Sequence, residues 1–456
     1  MTVEEMDNFF ENLKNTEATL EEIASAVISD AQKNGADESE VSIDSGTGIS
    51  VSCRDADVEN IEFNKDKSLH ITVYKDKRSG SASTNDLSKE SLHETVLSAL
   101  NIATFADRDE FSGLCDKELI CNEFKELELI FDNGQNTDLA INKALSLDKM
   151  ILEKPDNRIK KSDGSSFSNS FVTSVIANSH GFSHANSQSI VSCALTLLGE
   201  ADNKMQRGLG MSISRTIDNL YSSEKIFNEA LEHTLQKLNA RKLKTGTYNV
   251  IFSRSAVRSL WGHLFGAISG GQIYRKSSFL LDKLGKQVLS KNFTVIEDPF
   301  VKGGFASRNY DADTVAVNRS EIVSEGMLNE YLLSTYSARK LHMQTNGHAS
   351  GTHNVFIKDL KNNLSLDELL KSVGEGVVIT GLMGQGVNIV NGNYSRGAEG
   401  YYFRNGIFEH AVDGITVAGN LAEMFMKMEA MAQDIDERYS LRTGSILIPD
   451  MSISGL

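Results

Sequence analysis

Apolar residues at Leu20, Ile23, Ala24, Val27, Ile28 and Ala31 fall on one side of a 3.6-residue repeat. Thr19, with Glu22 three residues on, reads as a capping box opening that helix, and Gly35 as its end. The period then changes to two. Val41 and Ile43, Ile49 to Cys53, Val58 to Phe63 and Leu69 to Val73 alternate with polar residues, punctuated by Gly46, Gly48 and polar turns. This predicts half-buried antiparallel strands with one wet face. A second helix is expected from near Ser88, with Leu92, Val96, Leu97 and Leu100 on one side. Residues 1–110 therefore read as helix, meander, helix.

Residues 111–239 continue this N-terminal half. Phe111 to Phe131 is polar and irregular, a connection. A helix over Leu139 to Leu152 ends at Pro155, residues 167–215 return to strand alternation, and a helix follows near Ile226 to Leu238. Arg241 to Gly246 then leads into residues 240–456, where the texture changes. Glycines are frequent, and Asn391-Gly392 and Asn405-Gly406 sit between alternating runs as tight-turn signals. Helices are expected at Ser255 to Phe265 and at Ala418 to Asp434. The predicted fold class is α+β: an N-terminal α/β part with mainly antiparallel strands, then a β-rich C-terminal domain with a few helices.

At 456 residues the chain is long enough for two or three cores, and 40% hydrophobic with 24% charged residues is ordinary for a soluble protein. A net charge of -16 argues against direct nucleic-acid binding, which needs a basic footprint. Cys53, Cys115, Cys121 and Cys193 lack CxxC spacing and read as reduced thiols. Met1 to Asp7 is acidic without an apolar core, and no apolar run approaches the ~20 residues of a membrane helix. The expected location is the cytoplasm, with no membrane contact.

Candidate chemistry is sparse. Leu260 to Gly271 holds the only tryptophan and His263 at helical spacing, a setting suited to a zinc helix. His263 is followed by Leu264, however, and Ala267 and Ile268 cannot bind a metal. His93-Glu94 has Leu97 and Ser98 where a second ligand would fall, so it reads as a solvated pair. His180 and His184 lie around Gly181 and read as a turn between strands. His348 and His353 share a loop without a carboxylate or cysteine close in sequence, a weak zinc signal and a candidate ligand contact. Ser350 sits one residue late for a nucleophile elbow, and no phosphate-binding glycine loop occurs. Arg396, between Tyr394 and Gly397, reads equally as a peptide-carboxylate contact or a hairpin end. Met424, Met428 and Met431 read as core.

Several segments resemble the TldD/PmbA family, and within it the PmbA (TldE) branch. They are Ala240 to Leu243, Gly262 to Gly271, Tyr274 to Asp282, Ser334 to Lys340, Leu382 to Asn388, Tyr394 to Ala398, Thr416 to Leu421 and Gly444 to Pro449. Ala177 to Phe182 matches more loosely. The resemblance implies a cytosolic zinc metallopeptidase of unfolded peptides, in which a TldD subunit carries HExxxH and pairs with a PmbA/TldE subunit lacking it. Gly262-His263-Leu264-Phe265-Gly266-Ala267 stands where HExxxH is expected, so no catalytic or metal residue is carried over.

The expected function is the non-catalytic partner subunit, completing the substrate channel. The zinc is expected in the TldD-type subunit and no cofactor in this chain. His263, Arg275, Lys276, His348, His353 and Arg396 are the candidates for lining the channel or touching the partner. Two alternatives stand: a metallopeptidase in its own right, with zinc on a set such as His263, His348 and His353, or a non-proteolytic protein modulating DNA gyrase or another partner. When alone, the chain is a candidate homodimer.

Overall fold

The first helix is longer than its apolar stripe suggests. The computed structural model describes residues 3–134 and 136–456, and α1 runs unbroken over Val3–Lys33. Thr19 lies inside it and donates its hydroxyl to the Asn15 carbonyl at 2.7 Å, so there is no capping box at this point. The helix does stop at Gly35, whose φ of +94° suits a residue without Cβ.

The four alternating segments are two long strands, β1 (Glu38–Arg54) and β2 (Asp57–Lys75). Gly46 and Gly48 do not interrupt β1, because they are paired on one side with β2 and on the other with β4 (Ile159–Asn178). Hydrogen bonds on both edges outweigh glycine's weak strand preference. β3 (Arg78–Thr84), β5 (Ser183–Ala201) and β6 (Lys204–Ser214) complete an antiparallel sheet of order β3-β2-β1-β4-β5-β6. Strands from both parts of the N-terminal half thus share one sheet.

Helices α2 (Lys89–Phe105), α3 (Thr137–Glu153) and α4 (Ser223–Leu235) begin at the side-chain caps Ser88, Asn136 and Ser222. α1 and α2 cover one end of the sheet, over Val41, Ile43, Ile71 and Val175. α3 and α4 cover the other end of the same face, over Ile49, Val51, Phe167 and Leu195. The opposite face carries half-exposed serines in register, Ser50, Ser168 and Ser192.

The C-terminal half holds two sheets around one core. β8 (Phe293–Asp298), β9 (Ser320–Ser324), β10 (Met327–Leu328), β11 (Asn354–Asp359) and β16 (Leu441–Arg442) form the first, in the order β10-β9-β8-β11-β16. The second comprises β7 (Gly246–Phe252), β12 (Glu375–Met383), β13 (Asn393–Arg404), β14 (Ile407–Asn420), β15 (Ala430–Met431) and β17 (Ile446–Ser454). β14 pairs with β17 as well as β13, so β7, β12, β13, β14 and β17 close into a ring. The pairs β7–β12 and β11–β16 are parallel. The β13–β14 turn is the expected Asn405-Gly406, with φ of 53° and 73°.

Five helices decorate these sheets: α5 (Val257–Ala267), α6 (Gly270–Tyr274), α7 (Thr335–Lys340), α8 (Leu366–Val373) and α9 (Leu421–Met426). The helix expected over 418–434 is cut to α9. Beyond it, Glu429 and Ala432 donate to the Leu447 and Ser445 carbonyls, and strand pairing replaces the helix. Met424, Met428 and Met431 are core residues. No helix among the described residues is long and apolar enough to cross a membrane.

Candidate functional site

α5 carries its apolar face into the main core through Val257, Leu260, Trp261, Leu264 and Ala267, and the Trp261 indole donates to Thr443 Oγ1 at 3.2 Å. His263 points elsewhere, half-buried toward β13. Its ring meets Tyr394 edge-on at 6.2 Å, and Nε2 lies 3.5 Å from Ser259 Oγ. Arg396 Nη1 donates to that same hydroxyl at 2.7 Å. Burial, and then the Arg396 charge, hold the His263 imidazole below its ordinary pKa. Burial pushes the Tyr394 phenol up to about 12, with Arg396 opposing.

This place does not fit a zinc ion. It offers one imidazole and no carboxylate, Leu264 and Ala267 are turned into the core, and a guanidinium stands where a cation would be repelled. What it offers is an imidazole, a phenol and a guanidinium beside an open groove. That groove, about 490 Å³, is lined by Gln385, Gly386, Val387, Asn393, Tyr394 and Ser395 among others. Gly386 admits the close approach, because a Cβ there would lie 1.9 Å from the Ser395 carbonyl oxygen.

Arg275 and Lys276 lie apart from this place, exposed just after α6. Arg275 donates to the Tyr274 hydroxyl at 3.0 Å, and Tyr274 meets Tyr336 of α7 edge-on. α7 itself is a clasp. Arg339 donates to the carbonyls of Gly113 and Leu114 at 3.2 and 2.7 Å, and Tyr336 donates to Asp109 at 2.6 Å. The Ser334 to Lys340 motif therefore fastens the connection after α2 to the C-terminal half.

His348 and His353 are brought together at a third place, with a carboxylate that sequence distance hid. Glu297 of β8 accepts from His348 Nε2 at 2.7 Å and lies 3.1 Å from His353 Nδ1, and its Oε1 also takes the His353 backbone N–H. All three residues are buried, and they are the one group of three such donors close enough to share a metal among the described residues. Burial pushes the Glu297 carboxyl up, but the His348 hydrogen bond, the contact with His353 and their charges outweigh it and hold it at about 2. Burial opposes protonation of His348, and the Glu297 hydrogen bond and charge reverse that and raise its pKa. His263 is not part of this group, so the three-histidine set does not assemble.

The other histidines weighed from the sequence have partners of their own. His93 pairs with Asp30 at 2.7 Å on the exposed α1–α2 surface. His180, in the turn between β4 and β5, bridges Glu38 and the Cys115 carbonyl, whereas His184 stacks on Phe124. All four cysteines are buried and free. The residues that sequence reasoning passed over are Ser259, Asn346 and Glu297. Glu297 carried a signal: an acid directly after Val295 and Ile296, on a strand buried from Phe293 to Glu297.

Comparison with known proteins places these features in a family. Residues 39–103 match PmbA/TldA metallopeptidase domain 1, residues 133–238 the central domain and residues 245–455 the C-terminal domain. The chain is 40% identical to the metalloprotease PmbA of Escherichia coli O157:H7 over 96% of both chains. It is 39% identical to a PmbA homolog of Haemophilus influenzae, over 97% of this chain and 98% of the other. A crystal structure from Bacteroides thetaiotaomicron, a candidate modulator of DNA gyrase, superposes with a TM-score of 0.90 at 26% identity, covering 95% of this chain and 98% of that one. TldE from Thermococcus kodakarensis shares the fold, with a TM-score of 0.82 at 20% identity over 95% of this chain and all of the other. With its three domains matched in order and full-length relatives at this identity, the chain belongs to the TldD/PmbA family of metallopeptidases.

Proposed function

We propose that this chain is the PmbA/TldE-like subunit of a cytoplasmic zinc metallopeptidase, working beside a TldD-type subunit that carries HExxxH and the zinc. Its own task is to hold an unfolded peptide next to the partner's metal. The observation that carries this reading is α5: His263 stands alone there, with Arg396 and Tyr394 in place of further metal donors. Arg396 suits a peptide carboxylate or carbonyl, and an open groove lies beside Tyr394. Four free thiols agree with a reducing compartment. Arg275 and Lys276 are exposed, and we assign them to the partner surface rather than the groove.

The test is peptidase activity on an unfolded peptide. The purified chain is assayed alone, with a TldD-type subunit from the same organism, and with that subunit's HExxxH glutamate changed to glutamine. Cleavage only with the intact partner supports the proposal. Cleavage by this chain alone overturns it in favour of an enzyme in its own right. Full activity of the partner without this chain also overturns it.

A further inference from the structure

The cluster at Glu297, His348 and His353 does not include His263 of α5, and although His348 pairs with Glu297, polar atoms of His353 and of nearby Glu330 are left without partners. Glu297 is a carboxylate with no exposed surface, on a strand between β9 and β11. A buried carboxylate needs a cation.

The Asn346 amide is oriented by its own bonds, since Nδ2 donates to Glu330 Oε2 at 2.8 Å and to the Tyr331 carbonyl at 2.9 Å. Its Oδ1 therefore faces His348 Nδ1 at 2.9 Å and accepts a hydrogen bond from its N–H. This fixes Nε2 as the atom aimed at Glu297 Oε2. A ring that donates one N–H to a carbonyl oxygen and presents the other nitrogen to a site is the usual outer-shell arrangement of a metal-bound histidine.

His353 supplies the independent sign. Its ring is 2% exposed, and neither Nδ1 nor Nε2 has a hydrogen-bond partner, although Nδ1 lies 3.1 Å from Glu297 Oε1. With Nδ1 against Glu297 Oε1 but poorly aligned, Nε2 is the ring nitrogen left facing no partner in a dry core, which is costly. Glu330 Oε1, next to Asn346, is likewise buried without a partner. The charged groups around the cluster are Glu297, Glu330 and Asp311 against Arg308, so an added cation meets an acidic surround.

We propose that Glu297, His348 and His353 form a structural binding site for a divalent transition metal, zinc being the best match. One carboxylate oxygen of Glu297 and one nitrogen from each ring make three N/O protein donors, a two-histidine, one-carboxylate set that tetrahedral zinc takes with a water as its fourth ligand. The donor atoms already lie within 4.8 Å of one another. A zinc ion holds neighbouring donors roughly 3.3 Å apart, against 2.7 Å between His348 Nε2 and Glu297 Oε2 and 3.1 Å between His353 Nδ1 and Glu297 Oε1, so the side chains shift to admit it. Binding displaces any proton on His348 Nε2 to solvent. The ion would tie the 342–353 loop to β8, and because all three ligands are buried, no substrate reaches it.

The experiment unfolds the full-length chain in chelator and refolds it with zinc or cobalt(II). Metal per chain is then measured by mass spectrometry, and the cobalt spectrum is recorded. Expected are one tightly held ion per chain and tetrahedral cobalt bands without thiolate charge transfer. His348→Asn and His353→Asn should each weaken binding more than roughly 100-fold, exceeding the usual effect of removing an outer-shell partner. His263→Asn should leave it intact.

No metal uptake by the refolded chain overturns the proposal, as does uptake that survives both loop variants or is abolished by His263→Asn. If the loop variants fail to fold, the wild-type cobalt spectrum decides: four N/O donors support the site, and absent or thiolate bands overturn it. The peptidase assay is unaffected by this result, since a chain that binds metal but cleaves nothing alone still fits the subunit reading.

Discussion

Arg438 makes a forked pair with Glu229 across the boundary between the N-terminal sheet and the C-terminal half. Nη2 lies 2.7 Å from Oε1, and Nη1 lies 2.9 Å from Oε2. The same guanidinium holds Asp436 through Nε at 2.8 Å. Burial pushes both carboxyls up, but Arg438 outweighs it and holds each below its ordinary range.

Arg438→Met should therefore destabilise the chain by about 3 kcal/mol at pH 7, because it leaves two carboxylates buried without their cation. Groups with lowered folded pKa contribute stability above their unfolded pKa and lose it as pH falls through the folded value. The wild type should lose this contribution below about pH 4. In the variant the unpaired carboxyls protonate earlier, so its deficit should shrink on acidification. Urea unfolding at pH 7 and pH 5 checks both statements, and an equal deficit at the two would contradict them.

Glu40 behaves in the opposite sense. Burial raises its carboxyl to about 7, with Asp313 and Glu38 adding to the rise and the Tyr74 hydrogen bond opposing it. Its stabilising contribution is complete below pH 4.5 and lost as pH rises through about 7. Glu40→Gln keeps an acceptor for Tyr74 and removes the ionisation. Thermal melts should show little change at pH 5 and a gain on the order of 2 kcal/mol at pH 8.

Arg339 donates to the carbonyls of Phe111, Gly113 and Leu114. Arg339→Ala should loosen the 106–116 connection without unfolding either half. Limited proteolysis should then cut between residues 106 and 116 at least about tenfold faster than in the wild type, as expected for a local opening made easier by ~1.4 kcal/mol. Cutting spread evenly over the chain would show global destabilisation instead.

Removing the Arg396 charge should let the His263 imidazole titrate at higher pH, since only burial would then hold it down. NMR titration of His263 in Arg396→Gln checks the direction. If the groove holds peptide as proposed, the same variant should also raise the KM of the mixed enzyme more than it lowers kcat. An unmoved titration would mean that the two side chains do not interact in solution.

Much of the fold was legible locally. Ser88 caps α2, Asn405-Gly406 turns β13 into β14, and α4 and α5 follow their apolar stripes. Misreadings arose where long-range pairing overrode local preference. Gly46 and Gly48 resemble strand breaks until β2 and β4 bond them from both sides. Residues 427–434 have helical spacing until β17 takes their backbone.

The candidate sites divide along the same line. The sequence by itself determined what α5 lacks, because a second metal ligand on a helix falls three to five residues away, and Gly266, Ala267 and Ile268 have no donor. Only the tertiary structure could bring Glu297 to His348 and His353. Those residues are 51 and 56 positions apart, and β8 and the loop before β11 meet through sheet pairing and core burial. Spacing along the chain carries short-range geometry, whereas a shared core decides which distant polar groups must satisfy one another.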